Sequence, residues 1–240
     1  MANIKASAII TAGGAGTRFA SKGAPKQFAA LLDKPILVYS TQSFQSSDHI
    51  SEIVLVVPKG WEEHTQKEIV ERYNLSKVSN IVAGGAQRQD SVQRGLKSIT
   101  SNPDIVAVHD GVRPFVTTKL IEEVLSEASR FGGAIAAAPS IDTIKQSGTD
   151  DLISTTLPRE KIWLAQTPQA FKYDILVKAY EKAAQDEYIG TDESILVERI
   201  GKQVALVSAS KYNIKITTPN DIKLGEFILK SKIFENKQEL

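Results

Sequence analysis

The chain has no cysteine among its 240 residues, which excludes disulfides, thiolate zinc ligands and thiol nucleophiles. That composition fits a reducing cytoplasm. It also lacks an excess of either charge, because 29 Lys and Arg stand against 28 Asp and Glu. A formal net charge of +1 offers no broad basic footprint for nucleic acid or an anionic membrane. Any anion the protein handles must therefore be gripped by a local cluster. Long apolar runs are missing too. Stretches such as "IVLVVP" fall far short of the roughly 20 residues that span a bilayer. The opening "MANIKASAIITAGG" has one lysine and no cleavage-like continuation, so it does not read as a signal peptide. No repeat or low-complexity linker is evident.

What is present is a 42% hydrophobic content, enough for a sizeable core. Strands are expected over 7–11, 52–57, 78–83, 104–109 and 133–139. Helices over 35–44, 61–73, 89–99 and 118–131 alternate with them. Continuous Val, Ile and Ala strands separated by helices predict an α/β fold, a mostly parallel sheet covered on both faces. The beat breaks after Pro139. Short β-prone pieces over 142–169 have no helix between them, which predicts an inserted β-arm at about 139–170. Helices then follow over 173–184 and 191–200, and strands over 203–209 and 213–218. Thr218, Pro219 and Asp221 mark the start of a last helix. The economical reading is one domain, 1–240, with an arm.

The stretch "ITAGGAGTRFASKGAPKQF" puts Gly13, Gly14 and Gly16 just after the first strand, at the sheet edge where ligands bind. Bare backbone there can form an anion-binding nest, or simply make a tight strand exit. A dinucleotide fingerprint needs glycine where Phe19 stands, and no Gly-Lys-Ser/Thr follows for a Walker loop. Arg18 and Lys26 remain beside the loop. A triphosphate attacked at its α-phosphorus is served chiefly by such positioned cations, although lone surface cations are commonplace.

Other segments read in two ways. In "GGAQRQDSV", Gly84 and Gly85 can bring backbone against a flat base, and Ser91 lies near a helix start. In "VHDGVRPF", Asp110 can hold Mg²⁺ directly or through water, or pair with Arg113 to shape a turn before Pro114. His109 at the strand end reads as a structural hydrogen-bonding group. The arm carries Thr143, Arg159 and Thr167, and the Arg159 fork suits a phosphate monoester. A polar edge hairpin explains the same residues. Thr191 reads as a helix N-cap, and Lys215 as a cation on the outward face of a short strand.

The ordered set "AGGAGTRF…PKQF", "GGAQRQDSVQRGL", "VHDGVRPFV", "DTIK", "QTPQAF", "TDESILVE" and "NIKITTPNDI" resembles the 2-C-methyl-D-erythritol 4-phosphate cytidylyltransferases. These are CTP-using enzymes of isoprenoid biosynthesis with a Rossmann-like nucleotidyltransferase fold. The resemblance runs over 6–227. It implies that Ala12, Gly13, Gly14, Ala15, Gly16, Gly84, Gly85, Arg88, Ser91 and Asp110 bind CTP. It implies catalytic roles for Arg18, Lys26 and Lys215, and Mg²⁺ or another divalent cation at Asp110. Arg113, Thr143, Arg159, Thr167 and Thr191 would hold the sugar-alcohol phosphate. A cytoplasmic homodimer is implied, its arm crossing to deliver Arg159 to the partner's site, with neither nucleic acid nor membrane as partner. The chain departs from the family pattern at Ala86, often acidic, at Gly111 and Val112, more usually two alanines, and at Ala209, commonly glycine. Ribitol-5-phosphate cytidylyltransferases share much of the pattern. A non-catalytic protein that binds nucleotide as a regulatory signal would need the base-binding glycines but not the cations.

Overall fold

The computed structural model describes residues 4–14 and 25–235. In chain order its strands are β1 (Ala6–Thr11), β2 (Ala30–Leu31), β3 (Lys34–Pro35), β4 (Ile50–Val57), β5 (Val78–Ala83), β6 (Ile105–Asp110), β7 (Gly133–Pro139), β8 (Ile144–Ser147), β9 (Ile153–Leu157), β10 (Trp163–Lys172) and β11 (Ala205–Ser208). The α-helices are α1 (Ile36–Gln45), α2 (Glu62–Thr65), α3 (Arg88–Lys97), α4 (Thr118–Phe131), α5 (Tyr173–Gln185), α6 (Glu193–Arg199) and α7 (Pro219–Ser231). Seven strands form one sheet in the order β11-β7-β10-β6-β1-β4-β5.

Every residue of β1 and β6 is buried, because helices cover both faces of the sheet. β1 pairs in parallel with β4 on one side and β6 on the other. One apolar cluster gathers Ile10, Leu37, Phe44 and Leu55, and a second, separate one gathers Ile9, Val92, Phe171 and Leu196. The alternation of Ile9 and Ile10 between these clusters is the period-two geometry of a strand buried twice. Helix α4 shows how the covering layer is specified. Leu120, Ile121, Val124, Leu125 and Ala128 fall on one buried face, the four larger side chains each stabilising by about 1.5–3 kcal/mol if fully withdrawn from water. Thr117 accepts from the Leu120 N–H at its start, and Gly132, at φ 94°, closes its end.

The mostly parallel α/β sheet agrees with the sequence pattern, with three local corrections. The segment over 213–218 is not a strand. Among the described residues, its only backbone bond to a neighbouring segment is from the Ile216 N–H to the Val112 carbonyl at 2.9 Å, too little for a ladder. The helix expected over 61–73 begins as α2 and widens into a π-helix over Gln66–Glu71. The expected arm also divides. β8 and β9 pair only with each other, whereas β10 returns to the main sheet and lies antiparallel between β6 and β7. Thr167 therefore sits in the core and not on the arm. The β10–β7 register slips between Ala165 and Gln169, where Pro168 has no N–H to donate. Among the described residues, no helix is long and apolar enough to cross a membrane.

At the amino end of the sheet, buried Glu52 ties β1, β4, β5 and the chain after α3 together. Its carboxylate accepts from the hydroxyls of Ser7 (3.1 Å), Ser79 (2.8 Å) and Thr100 (2.8 Å), and from the Ser101 N–H (3.1 Å). Burial pushes its pKa up, but hydrogen bonds from Ser101, Ser79 and Thr100 outweigh burial and bring it down to about 2. The folded pKa lies below the unfolded one, so this contribution is present above pH about 4.5 and lost as pH falls toward 2. Glu52→Gln is expected to cost about 2 kcal/mol at neutral pH. Denaturant unfolding should show the gap from wild type closing as pH falls through that window; a pH-independent gap contradicts the assignment.

Candidate active site

The carboxyl ends of β1 and β6, the turn between β5 and α3, and the segment before α7 enclose a cavity of about 410 Å³. Bare backbone makes one wall. The β1 exit and the β5–α3 turn lie back to back: a Cβ on Gly84 would stand 3.1 Å from both the Gly13 Cα and the Ser91 Oγ. Only residues without side chains allow two loops to approach so closely. Ser91 shapes the turn, accepting from the Gly85 N–H and donating to the Gln87 carbonyl, both at 3.0 Å. The Gly84 N–H is likewise occupied, by the Val57 carbonyl at 2.7 Å. Ala12 has both backbone groups engaged, its N–H with the Val56 carbonyl and its carbonyl with Gln27 Nε2. Gly13 and Gly14 line the cavity, and no hydrogen bond joins the N–H of either to another described residue. Ala15, Gly16 and Arg18 lie outside the described residues.

The opposite wall is built on charge. Asp110, at the end of β6, is buried, with Lys215 Nζ at 2.9 Å, Arg88 Nε at 3.2 Å and Arg113 Nε at 3.4 Å. Burial alone would push its pKa up; Arg88, Lys215 and Arg113 hold it well below the usual carboxylate range. Arg88 lines the cavity and turns its two η nitrogens to Glu193, at 2.7 and 2.9 Å. Lys26 enters from the other side, donating to the Ile216 carbonyl at 3.3 Å. Its short turn is anchored by buried Gln27 and by Phe28, which stacks on Trp61 at 4.8 Å. Lys26 and Lys215 thus meet around one segment, between the glycines and Asp110.

His109 is structural. The Thr167 hydroxyl accepts from the Asp110 N–H (3.1 Å), leaving its own hydrogen for His109 Nδ1 (3.0 Å). His109 Nε2–H then donates to the Arg113 carbonyl (3.2 Å). Burial lowers the imidazole pKa to about 4, so it is neutral at physiological pH.

Of the residues expected to hold an acceptor, Arg113 and Thr167 lie against Asp110, whereas Thr143, Arg159 and Thr191 are exposed. Neither Arg113, Thr143, Arg159, Thr167 nor Thr191 lines the cavity. Arg113 braces Asp110 and donates to the Asn213 carbonyl at 2.9 Å. Thr143 and Arg159 are exposed on the arm, where Arg159 donates to the Ile141 carbonyl at 3.1 Å. Thr191 is exposed and does not cap α6. Asp192 does so instead, its carboxylate accepting from the Ile195 N–H at 3.1 Å. Sequence reasoning missed Glu193, Gln169 and Asn213. Gln169 Oε1 accepts from the N–H groups of Glu193 and Ser194, and Asn213 Nδ2 donates to Gln166 Oε1 and the Thr167 carbonyl. A Glu in a first helical turn ordinarily reads as a match to the helix dipole, and nothing local signals a partner 105 residues away.

Among the described residues, no three His, Cys, Asp or Glu side chains cluster to hold a metal. Both Asp110 oxygens already face cations, Arg88 on one and Arg113 and Lys215 on the other, so Mg²⁺ beside it would have to be held chiefly by water and phosphate oxygens with Asp110 as protein ligand.

The sequence profile of the 2-C-methyl-D-erythritol 4-phosphate cytidylyltransferase family matches residues 6–231. A protein of that name from Syntrophus aciditrophicus is 49% identical over 228 residues, covering 95% of this chain and 97% of its own. Another, from Pelotomaculum thermopropionicum, is 40% identical over 228 residues, covering 95% of each. A solved structure of 4-diphosphocytidyl-2C-methyl-D-erythritol synthase from Anaerococcus prevotii superposes with a TM-score of 0.84 at 30% identity, covering 95% of this chain and 97% of the other.

The glycine wall yields a test independent of ligand. A Cβ on Gly85 would stand 2.2 Å from the Asp90 Cβ, and Asp90 accepts from the Gln87 N–H at 3.0 Å to start α3. Gly85→Ala is expected to destabilise the fold by about 1–3 kcal/mol through overpacking. An unchanged thermal melting midpoint contradicts the close packing.

Proposed function

The chain belongs to the 2-C-methyl-D-erythritol 4-phosphate cytidylyltransferase family, and from that premise we propose how its residues divide the work. The enzyme transfers a cytidylyl group from CTP to 2-C-methyl-D-erythritol 4-phosphate, giving 4-diphosphocytidyl-2-C-methyl-D-erythritol and pyrophosphate for isoprenoid biosynthesis. The observation that carries the division is the meeting of donor backbone at Gly13 and Gly14 with Lys26 and Lys215 in one cavity.

The triphosphate lies along the glycine wall, and cytosine and ribose lie against the Gly84–Gly85 turn beside Arg88. A phosphate oxygen of the acceptor attacks the α-phosphorus of CTP in line. One new P–O bond forms as the bond to the β-phosphate oxygen breaks, and pyrophosphate leaves with the electron pair. Charge grows on the equatorial and leaving oxygens, which Lys26, Lys215 and Arg18 stabilise as cations. When bound beside Asp110, Mg²⁺ supplies further charge neutralisation on the phosphates. Neutral, buried His109 takes no proton from the acceptor; a phosphate nucleophile is already ionised and needs no base.

The acceptor is held by Arg113, Thr143, Arg159, Thr167 and Thr191, with the arm reaching into the site of a second copy. Ile141, Leu152 and Ile153 on and beside that arm are 72%, 69% and 65% exposed, which supports burial against another chain. The cysteine-free composition is compatible with a cytoplasmic homodimer. The methylerythritol acceptor is favoured over ribitol 5-phosphate because the family profile and the relatives at 49% and 40% identity carry the former name.

Pyrophosphate release from CTP with Mg²⁺ tests the reading: 2-C-methyl-D-erythritol 4-phosphate should support turnover, and preference for D-ribitol 5-phosphate would overturn the acceptor assignment. Lys26→Ala should lower kcat by about 100-fold or more, as for a lost oxyanion donor. Unchanged turnover removes Lys26 from the mechanism. Arg159→Ala should raise the KM of the sugar phosphate well above any change in that of CTP; equal shifts in both would contradict its role.

A further inference from the structure

Glu193 is a carboxylate the mechanism above leaves without work. It is 1% exposed, does not line the cavity, and begins α6 on the far side of Arg88. Its ion-pair partner among the described residues is Arg88, the first residue of α3 and part of the cavity wall. The two carboxylate oxygens take one η nitrogen each, at 2.7 and 2.9 Å, in the fork-to-fork geometry that fixes a guanidinium plane. Two side chains hold Glu193 itself in place. The Tyr180 hydroxyl donates to its Oε1 at 3.1 Å, and Gln169 Oε1 receives both its N–H and that of Ser194. Gln89 adds a tie between the two helix starts, receiving the Gly190 N–H at 2.8 Å.

We infer that Glu193 is a positioning residue for the CTP half of the site, holding the Arg88 fork so that Arg88 gives Asp110 only its Nε. This inference rests on the cytidylyltransferase reading. A guanidinium has five donors, and a buried carboxylate attracts as many as geometry permits. With Glu193 in place, the η nitrogens point away from Asp110, and Asp110 Oδ2 stays with Lys215 and Arg113. Without it, Arg88 can swing its fork onto Asp110, compete with Lys215 and draw the β5–α3 turn across the cavity. A buried ion pair is a poor source of stability compared with apolar packing, so what this pair contributes is placement.

The test is Glu193→Gln, which keeps size and one acceptor but removes the charge, measured beside Arg88→Met and the double variant. Glu193→Gln should raise the KM and calorimetric Kd of CTP about tenfold with the KM of the sugar phosphate unchanged. In the Arg88→Met background it should add nothing further, since both changes remove one interaction. An unchanged CTP KM, or a full added effect on top of Arg88→Met, overturns the inference. Should Glu193→Gln fail to fold, Tyr180→Phe loosens the same carboxylate. A smaller rise in CTP KM with an unaltered acceptor KM then supports the role, and wild-type kinetics overturn it. Wild-type protein that binds CTP but releases no pyrophosphate sinks the reaction assigned above while leaving the calorimetric comparison intact. Wild-type protein that does neither sinks both.

Discussion

A buried carboxylate remains ionised only if its surroundings replace the water it has lost. Asp110 draws that replacement from one near and two distant parts of the chain: Arg113 three residues on, Arg88 at the start of α3, and Lys215 before α7. The demand for partners is what converts an ordinary sheet edge into a site. Each cation brings its own segment along. Arg88 brings the glycine turn, Arg113 holds the Asn213 carbonyl, and Lys215 carries the segment against which Lys26 leans. Removing any one partner leaves a buried charge less compensated, which is far more costly than losing an exposed ion pair.

The two walls of the cavity do opposite electrostatic jobs. The glycine wall offers N–H dipoles and close approach, with no charge of its own. The Asp110 wall offers cations already pinned by carboxylates, so they cannot collapse onto an arriving anion or wander into solvent. Such preorganisation is what a phosphoryl transfer needs, because its transition state asks for fixed positive charge and not for proton shuttling. The neutral His109, locked between Thr167 and the Arg113 carbonyl, belongs to the scaffold beneath that wall.

Local pattern carried the sheet and helices well. β1, β6 and α4 read directly, since continuous Ile and Val runs and helical spacing are local signals. The segment over 213–218 misled because alternating Ile214, Lys215 and Ile216 satisfy strand periodicity, yet no strand among the described residues pairs with it. β10 misled in the other direction. "QTPQAF" looked like part of an arm because it follows a run of short β-prone pieces with no helix between them, and only the sheet's topology shows that it fills the gap between β6 and β7. For the site, residue types pointed to Lys26 and Asp110, the family resemblance added Arg88 and Lys215, and the fold brings all four to one cavity. Glu193 was illegible: the pairing that gives it meaning exists only after α3 and α6 have been packed side by side.

The measurement that bears most directly on this arrangement is a crystal structure of the protein with CTP bound. The account predicts the triphosphate between the Gly13–Gly14 backbone and Lys26 and Lys215, with cytosine against the Gly84–Gly85 turn and the Arg88–Glu193 pair intact. CTP bound elsewhere, or bound here with its base and phosphates reversed, would contradict it.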